Sequence, residues 1–150
     1  MSGGVDSSVA AYLCCKAGFD CIGVTMKLFT NDALSLPREH SCCSLDDVED
    51  ARSVAEQLGM PYHVFNFADR FESCVINRFV HAYENGETPN PCIDCNRYLK
   101  FEKLYQRAQE LGCTHVVTGH YARIERAENG RFLLKKGLDP TKDQSYVLYC

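Results

Sequence analysis

The sequence lacks any long apolar run. Its uncharged hydrophobic stretches extend for only a few residues, well short of the roughly 20 that a membrane-spanning helix needs. It also lacks an N-terminal basic segment followed by an apolar core, so no secretory signal is read at that end. No internal repeat or low-complexity tract is present, so solenoids and flexible linkers are excluded as the organising principle. Nor is there an excess of basic charge: 16 Lys and Arg stand against 20 Asp and Glu, a net charge of −4. Global charge therefore advertises neither a nucleic acid nor a membrane, and any such partner must be met locally. These absences lead to the expectation of a cytoplasmic chain with no membrane partner.

What is present fits one domain with a real core. A chain of 150 residues buries roughly 68–70% of its unfolded surface. Ten cysteines would suit a disulfide scaffold, but with no secretory signal read and with long helical patterns they are expected as reduced thiols. Val5, Val9 and Leu13 recur at helical spacing and Gly18 stops that helix. "CIGVTMKLF" (Cys21 to Phe29) reads as a strand. Ser44 opens a helix with Leu45, Val48, Ala51, Ala55 and Leu58 on one face and Asp46 and Asp47 in its first turn. "YHVFNF" (Tyr62 to Phe67) is a second strand, Phe71, Val75, Phe79 and Ala82 mark a third helix, and Phe101, Leu104, Ala108 and Leu111 a fourth. "THVVTGH" (Thr114 to His120) reads as a third strand. This alternation predicts an α/β fold with a doubly wound parallel sheet, whose ligands gather at the carboxyl ends of the strands. From Tyr121 the pattern changes to a hairpin about Asn129-Gly130.

Two stretches carry chemistry. "MSGGVDSS" places glycines and hydroxyls ahead of a helix, where successive backbone N–H groups bind anions. It has no Gly-Lys-Ser/Thr, so a Walker-type lysine clamp is not supported, and a simple capped helix start is the plain alternative. "NPCIDCN" sets Cys92 and Cys95 at Cys-x-x-Cys spacing before a helix, with Asn96 read as its cap. A helix N-terminus favours thiolate, which makes Cys95 a candidate nucleophile. The same pair suits a metal or an iron–sulfur cluster, which needs further ligands; Cys42-Cys43 are poor candidates to complete a zinc site. Cys14, Cys15, Cys21, Cys74 and Cys113 read as small buried hydrophobes. Taken alone, His120 reads as a hydrogen-bonded residue at a strand end, and the Lys142-Asp143-Gln144 run as a solvated helix start.

The order Ser-Gly-Gly-Val-Asp-Ser-Ser resembles the pyrophosphate loop of the N-type ATP pyrophosphatases. More specifically, "MSGGVDSSVAAYL", "CCSLDDVEDARSVAEQLGMPYHVFNF", "GETPNPCIDCNRYLKF", "THVVTGHYARI" and "GLDPTKDQSYVLY" occur in the order found in the tRNA-specific 2-thiouridylases, and the resemblance covers nearly all of the chain. It implies an adenine nucleotide alpha hydrolase-like sheet, with a first strand ahead of Met1. The expectation is thus a partial catalytic domain of a longer protein, or a chain begun at an internal methionine. A central tRNA-binding domain and a C-terminal β-barrel would lie beyond it, as would a second catalytic cysteine; Cys150 itself is expected to pack in a helix.

Carried over by position, the resemblance implies that Met1, Ser2, Gly3, Gly4, Val5, Asp6, Ser7 and Ser8 form the ATP phosphate loop, with Asp6 helping to place Mg²⁺. Met26 lines the adenine pocket through its backbone, and Gly119 contacts ATP where the lack of a side chain permits close approach. Asn90, Pro91 and Cys92 meet the flipped target base, Cys95 is the catalytic nucleophile, and Lys142, Asp143 and Gln144 contact tRNA. The implied activity is adenylation of the C2 oxygen of the wobble uridine followed by sulfur transfer. The sulfur donor is a persulfide carrier, a cysteine desulfurase or inorganic sulfide. Many relatives have aspartate in place of Cys92; the Cys-x-x-Cys form resembles a subset proposed to hold a [4Fe–4S] cluster, in which Cys92 and Cys95 would be metal ligands.

Two rivals remain on the sequence. An amidating synthetase of the same pyrophosphatase type would keep the loop without needing the paired cysteines. A non-enzymatic iron–sulfur or zinc module would keep the cysteines without using the loop. With the second cysteine and the tRNA-binding domain outside it, the isolated 150-residue chain is expected to bind ATP weakly and to insert no sulfur into tRNA; mass spectrometry of tRNA nucleosides after incubation with ATP and sulfide checks this.

Overall fold

A computed structural model of the chain describes residues 1–29 and 45–149. Ser44, the Cys42-Cys43 pair and Cys150 lie outside the described residues. The chain divides into two compact units, Met1–Glu72 with Val117–Gly119, and Ser73–Val116 with the residues from His120 onward.

In the first unit, helix α1 (Val5–Lys16) follows the glycine loop and leads to strand β1 (Gly23–Lys27). Helix α2 (Leu45–Gln57), strand β2 (Tyr62–Asn66) and the single turn α3 (Ala68–Phe71) complete it. β1 and β2 pair in parallel from Gly23 opposite Tyr62 to Lys27 opposite Asn66. The ladder is extended at each end, where Gly23 N–H donates to the Pro61 carbonyl and Phe67 N–H to that of Lys27. Parallel pairing needs a helical crossover, which α2 supplies. Its Ala51 and Ala55 are fully buried, with Val48 and Leu58 half-buried on the same side, as the apolar spacing predicts.

The core of this unit holds one polar chain. Thr25, 1% exposed, donates from its hydroxyl to the Met1 carbonyl at 2.7 Å and accepts from the Tyr62 hydroxyl at 2.6 Å, with the Val48 carbonyl 3.2 Å from that same Tyr62 oxygen. The Met1 amino group in turn donates to the Val24 carbonyl. The start of the glycine loop is thereby bonded to β1.

Three expectations need correction here. α1 forms where predicted, but Val5, Val9 and Leu13 are 76%, 48% and 56% exposed; the half-buried positions are small residues, among them Ser7, Ala11 and Cys14 in one helical row. Apolar residues occur around most of this helix, so spacing alone does not choose its inner side, and small side chains allow the closer approach. The strand expected over Thr114 to His120 is not formed among the described residues. A β-branched run becomes a strand only where a neighbour completes its ladder, and β1's described ladder partner is β2. Finally, Cys14, Cys15, Cys21, Cys74 and Cys113 are half-buried free thiols rather than core residues.

The second unit is helical, then β. A π-helical turn (Glu72–Ile76) leads into α4 (Asn77–Glu84). Val75 is buried, and Phe79 and Ala82 half-buried on the predicted face. After the Asn85-Gly86 turn, α5 (Pro91–Asp94) runs without interruption into a π-helical segment (Cys95–Lys103) and α6 (Leu104–Glu110). In that long helix Leu99, Asn96 and Ala108 are buried, while Phe101 and Leu111 are 42% and 46% exposed. The wider π turn shifts the phase of the inward face away from the 3.6-residue spacing. Strands β3 (Ala122–Arg126) and β4 (Phe132–Lys136) pair antiparallel about the Asn129-Gly130 turn. Tyr121 precedes β3, and a 3₁₀ turn (Ser145–Leu148) follows β4.

The polar chain at Thr25 generates a prediction. Thr25→Val keeps the shape but removes the donor to Met1 and the acceptor for Tyr62, and is expected to cost about 1–3 kcal/mol, whereas Tyr62→Phe, which leaves the bond to Met1 intact, costs about 0.5–1.5 kcal/mol; urea unfolding of the two variants checks the order.

Candidate functional site

The glycine loop is shaped by its own hydroxyls. The Gly4 carbonyl accepts from Ser7 Oγ and Ser8 Oγ, each at 3.0 Å, and Ser7 Oγ accepts from the Ser2 N–H at 3.2 Å. Gly4 stands at the N-cap of α1 with extended backbone, and Asp6 lies in the first helical turn, where a carboxylate suits the positive end of the helix dipole. Gly3 has φ of +73°, and a Cβ there would lie 2.7 Å from the Asp47 carbonyl oxygen. Conformation and space both call for glycine at that position.

Gly119 belongs to the same unit. A Cβ on it would stand 2.8 Å from the carbonyl carbon and oxygen of Asp6 and 2.9 Å from Ser7 N, closer than real Cβ contacts. The "TGH" glycine therefore lies directly on the first turn of α1. Met26 is the fourth residue of β1, opposite Phe65 of β2. Of the residues that the resemblance assigns to nucleotide, the structure thus brings Gly119 against the loop helix at Asp6 and Ser7, and puts Met26 on a strand of that same unit.

The cysteine turn lies in the second unit. Asn90 caps α5, its side-chain oxygen accepting from Cys92 N–H at 3.0 Å, with Pro91 as the first helical residue. Asn96 is consequently not a cap. The helix begins at Pro91, so Cys92 occupies the first turn and Cys95 the next. Cys95 therefore stands one turn farther from the positive helix end than its spacing predicts, and the dipole effect fades over that distance. Cys92 is exposed and Cys95 half-buried. Between them, Asp94 accepts from Arg78 Nε of α4 at 3.3 Å, which raises the Arg78 pKa. That guanidinium also lies 5.2 Å from the Tyr98 ring centre, and Arg97 lies 5.4 Å from it.

Metal ligation can be tested on the donor set. Among the described residues no group of three or more Cys, His, Asp or Glu side chains is placed to hold an ion. An iron–sulfur cluster is held by four ligands in its common forms, so Cys92 and Cys95 do not fit it with the described residues alone. Elsewhere, burial and the adjacent Cys15 thiol push the Cys21 thiol up to about 11, which makes it a poor nucleophile.

His120 accompanies Lys100, whose Nζ is 3.3 Å from His120 Nε2. Burial, and then the Lys100 charge, lower the imidazole pKa, so at neutral pH the ring is neutral and Nε2 accepts from the ammonium group. Sequence spacing carries no sign of this pair. Of the Lys142-Asp143-Gln144 run, Lys142 is exposed, and after the bonds from Thr141 its charge contributes to lowering the Asp139 pKa. Asp143 accepts from Gly137 N–H at 2.8 Å and from Ser145 Oγ at 3.0 Å, and its pKa is lowered first by the bond from Gly137. Gln144 exchanges two bonds with Tyr121: its N–H donates to the Tyr121 carbonyl at 2.9 Å, and its side-chain oxygen accepts from Tyr121 N–H at 3.0 Å.

Comparison with known proteins supplies a frame for this geometry. The chain is 55% identical over 149 residues to the tRNA-specific 2-thiouridylase MnmA of Clostridium acetobutylicum, covering 99% of this chain and 42% of that protein. It is 54% identical over 150 residues to the protein of the same name in Clostridioides difficile, covering 99% and 41%. With that of Geobacter metallireducens it shares 51% over 152 residues, again covering 99% and 41%. The chain thus spans about two fifths of the length of the curated relatives it matches. No described helix is long and apolar enough to cross a membrane. The family model described as "tRNA methyl transferase HUP domain" matches residues 1–150, and with every residue matched the chain belongs to that family, whose fold is α/β and Rossmann-like.

Proposed function

We propose that this chain is the nucleotide-handling and thiol-bearing part of an enzyme that makes 2-thiouridine at the wobble position of tRNA, a cytoplasmic activity fed by a sulfur-donor protein or sulfide. The observation that carries the reading is the identity of 51–55% over 99% of the chain to proteins named tRNA-specific 2-thiouridylase. The geometry agrees in one respect: Gly119 lies against the turn of α1 that bears Asp6 and Ser7.

The carbonyl oxygen at C2 of uracil is a poor leaving group and needs activation. In the proposed reaction that oxygen attacks the α-phosphorus of ATP, the bond to the β-phosphate bridge breaks and pyrophosphate leaves. Backbone N–H groups of Ser2 to Ser7 and the hydroxyls of Ser2, Ser7 and Ser8 would bind the departing phosphates, stabilising charge as it develops; the Ser8 N–H is taken by the Gly4 carbonyl. Mg²⁺, when bound, supplies further charge neutralisation. Asp6 would hold it, one carboxylate together with substrate phosphates being a common arrangement for this ion. Met26 and Gly119 would receive the adenine and the rest of the nucleotide.

Sulfur then displaces AMP at C2. Asn90, Pro91 and Cys92 would receive the uridine once it has left the stack, at a cost of about a few kcal/mol. Where the donor is a persulfide on a cysteine of the longer protein, the Cys95 thiolate would attack its inner sulfur, forming a disulfide with that cysteine and expelling the hydrosulfide that displaces AMP, and a thiol reductant would reopen the disulfide; inorganic sulfide would attack C2 directly. Cys92 and Cys95 would offer two of the ligands that an iron–sulfur cluster needs, with no third among the described residues. Lys142 offers the exposed charge for the tRNA backbone.

In the full-length protein, unmodified tRNA is expected to stimulate pyrophosphate release from ATP and to gain 2-thiouridine. Release that ignores tRNA would favour the amidating synthetase. Gly119→Ala is expected to weaken ATP binding by about tenfold or more, since its Cβ would force the loop helix to move; calorimetric titration with ATP measures this. Cys95→Ser should abolish sulfur transfer and leave pyrophosphate release, whereas Cys92→Asp should retain both, with nucleoside mass spectrometry as the readout. Loss of sulfur transfer in Cys92→Asp, with iron and sulfide bound by the parent, would instead support a cluster.

A further inference from the structure

Both sequence neighbours of Cys95 are fixed, one of them in an unexpected way. Asp94 is paired with Arg78 on α4. Asn96, only 1% exposed, donates from Nδ2 to the Val147 carbonyl at 2.8 Å, a bond across 51 residues of chain. Its Oδ1 is buried and has no partner among the described residues. An apolar residue would fill that space without the desolvation penalty of an orphan carbonyl. The half of the amide in use is the donor, and what it holds is the 3₁₀ turn Ser145–Leu148.

That turn is itself firmly placed. Val147 N–H donates to the Gln144 carbonyl at 3.2 Å, and Ser145 is held by Asp143 through both its N–H and its hydroxyl. Asp143 also holds Gly137, just past β4, while Gln144 is clamped to Tyr121, just before β3. Two of the three residues in the Lys142-Asp143-Gln144 run thus use their side chains to set the loop. A continuous line of hydrogen bonds passes from the hairpin through Asp143 and Gln144 to the turn, and from Val147 to Asn96.

We infer that Asn96 is a positioning residue, which fixes Cys95 relative to the loop that presents Lys142. The inference rests on the reading of Cys95 as acting in sulfur transfer. Adenylation does not use Cys95 in that reading, so the two half-reactions separate a positioning role from general damage. In this arrangement the cysteine is placed by the same loop that would meet RNA, while the phosphate loop is held by other bonds.

The test uses the full-length protein with Asn96→Ala and the isosteric Asn96→Asp, which sets an acceptor against the Val147 carbonyl. Both variants are expected to keep tRNA-stimulated pyrophosphate release within about threefold of the parent and to lose about tenfold or more in 2-thiouridine formation at saturating ATP and tRNA. Alkylation of Cys95 by iodoacetamide, read by peptide mass spectrometry against Cys113 in the same chain, is expected to rise about threefold as the turn is released. Equal loss of both half-reactions, unchanged sulfur transfer, or unchanged Cys95 alkylation would overturn the inference. Loss of the folded state in both variants, seen by thermal melting, would assign Asn96 a purely structural role and overturn it likewise. If the parent neither releases pyrophosphate nor thiolates tRNA, the functional reading fails, and the alkylation comparison, which needs no RNA, still decides the placement of Cys95.

Discussion

The buried hydroxyl of Thr25 is the point on which the first unit depends. A threonine almost fully excluded from water must satisfy both its donor and its acceptor capacity inside the protein, and here the two go to different elements. It accepts from Tyr62 at the start of β2 and donates to Met1 at the start of the glycine loop. The loop is therefore referenced to the β1–β2 pair through a directional bond, where apolar packing alone would leave it free to slide. The placement of Asp6 and the contact with Gly119 depend in part on that bond, together with the bond from the Met1 amino group to Val24 and the close approach of Gly3 to the Asp47 backbone.

The same unit shows how the glycine loop is ordered by its own hydroxyls. Ser7 and Ser8 both return their hydroxyls to the Gly4 carbonyl, and Ser7 also takes the Ser2 N–H. Entry of an anion has to compete with these internal bonds. Charge-assisted bonds to phosphate oxygens are roughly twice as strong as neutral ones, so under the proposed reading the exchange would favour a polyphosphate that engages several donors over a weakly charged ligand that engages one.

Much of this is legible in the sequence where a residue's identity dictates its environment. The α2 face from Val48 to Leu58, the crossover to β2 and the turn at Asn129-Gly130 all follow from periodicity and turn chemistry. The loop glycines are legible as well, although the reason for Gly119 becomes visible only as a distance to the Asp6 backbone. Spacing fails where several faces look alike or where a tertiary bond decides. α1 carries apolar residues on more than one side, so its inward row of Ser7, Ala11 and Cys14 cannot be chosen from pattern. Thr114 to His120 has the composition of a strand, but pairing is a property of two segments. Asn96 resembles a cap because asparagine favours caps; Asn90, immediately before Pro91, fills that role instead, and the bond from Asn96 to Val147 has no local signature at all.

The π-helical stretch from Cys95 to Lys103 sets a different kind of limit on this protein. A π turn holds more residues than the 3.6 of an α turn, so the segment stores length rather than chemistry. Because the surplus is taken up in wider turns, the turns before and after the segment keep nearly the phase of a shorter α-helix. Removing one residue between Arg97 and Lys103 would therefore let the segment relax to α geometry with little rotation of its two ends, whereas the same deletion within α6 would turn everything beyond it by about 100°. For this segment the tolerance of a change in length, more than the identity of most of its side chains, is the inherited property.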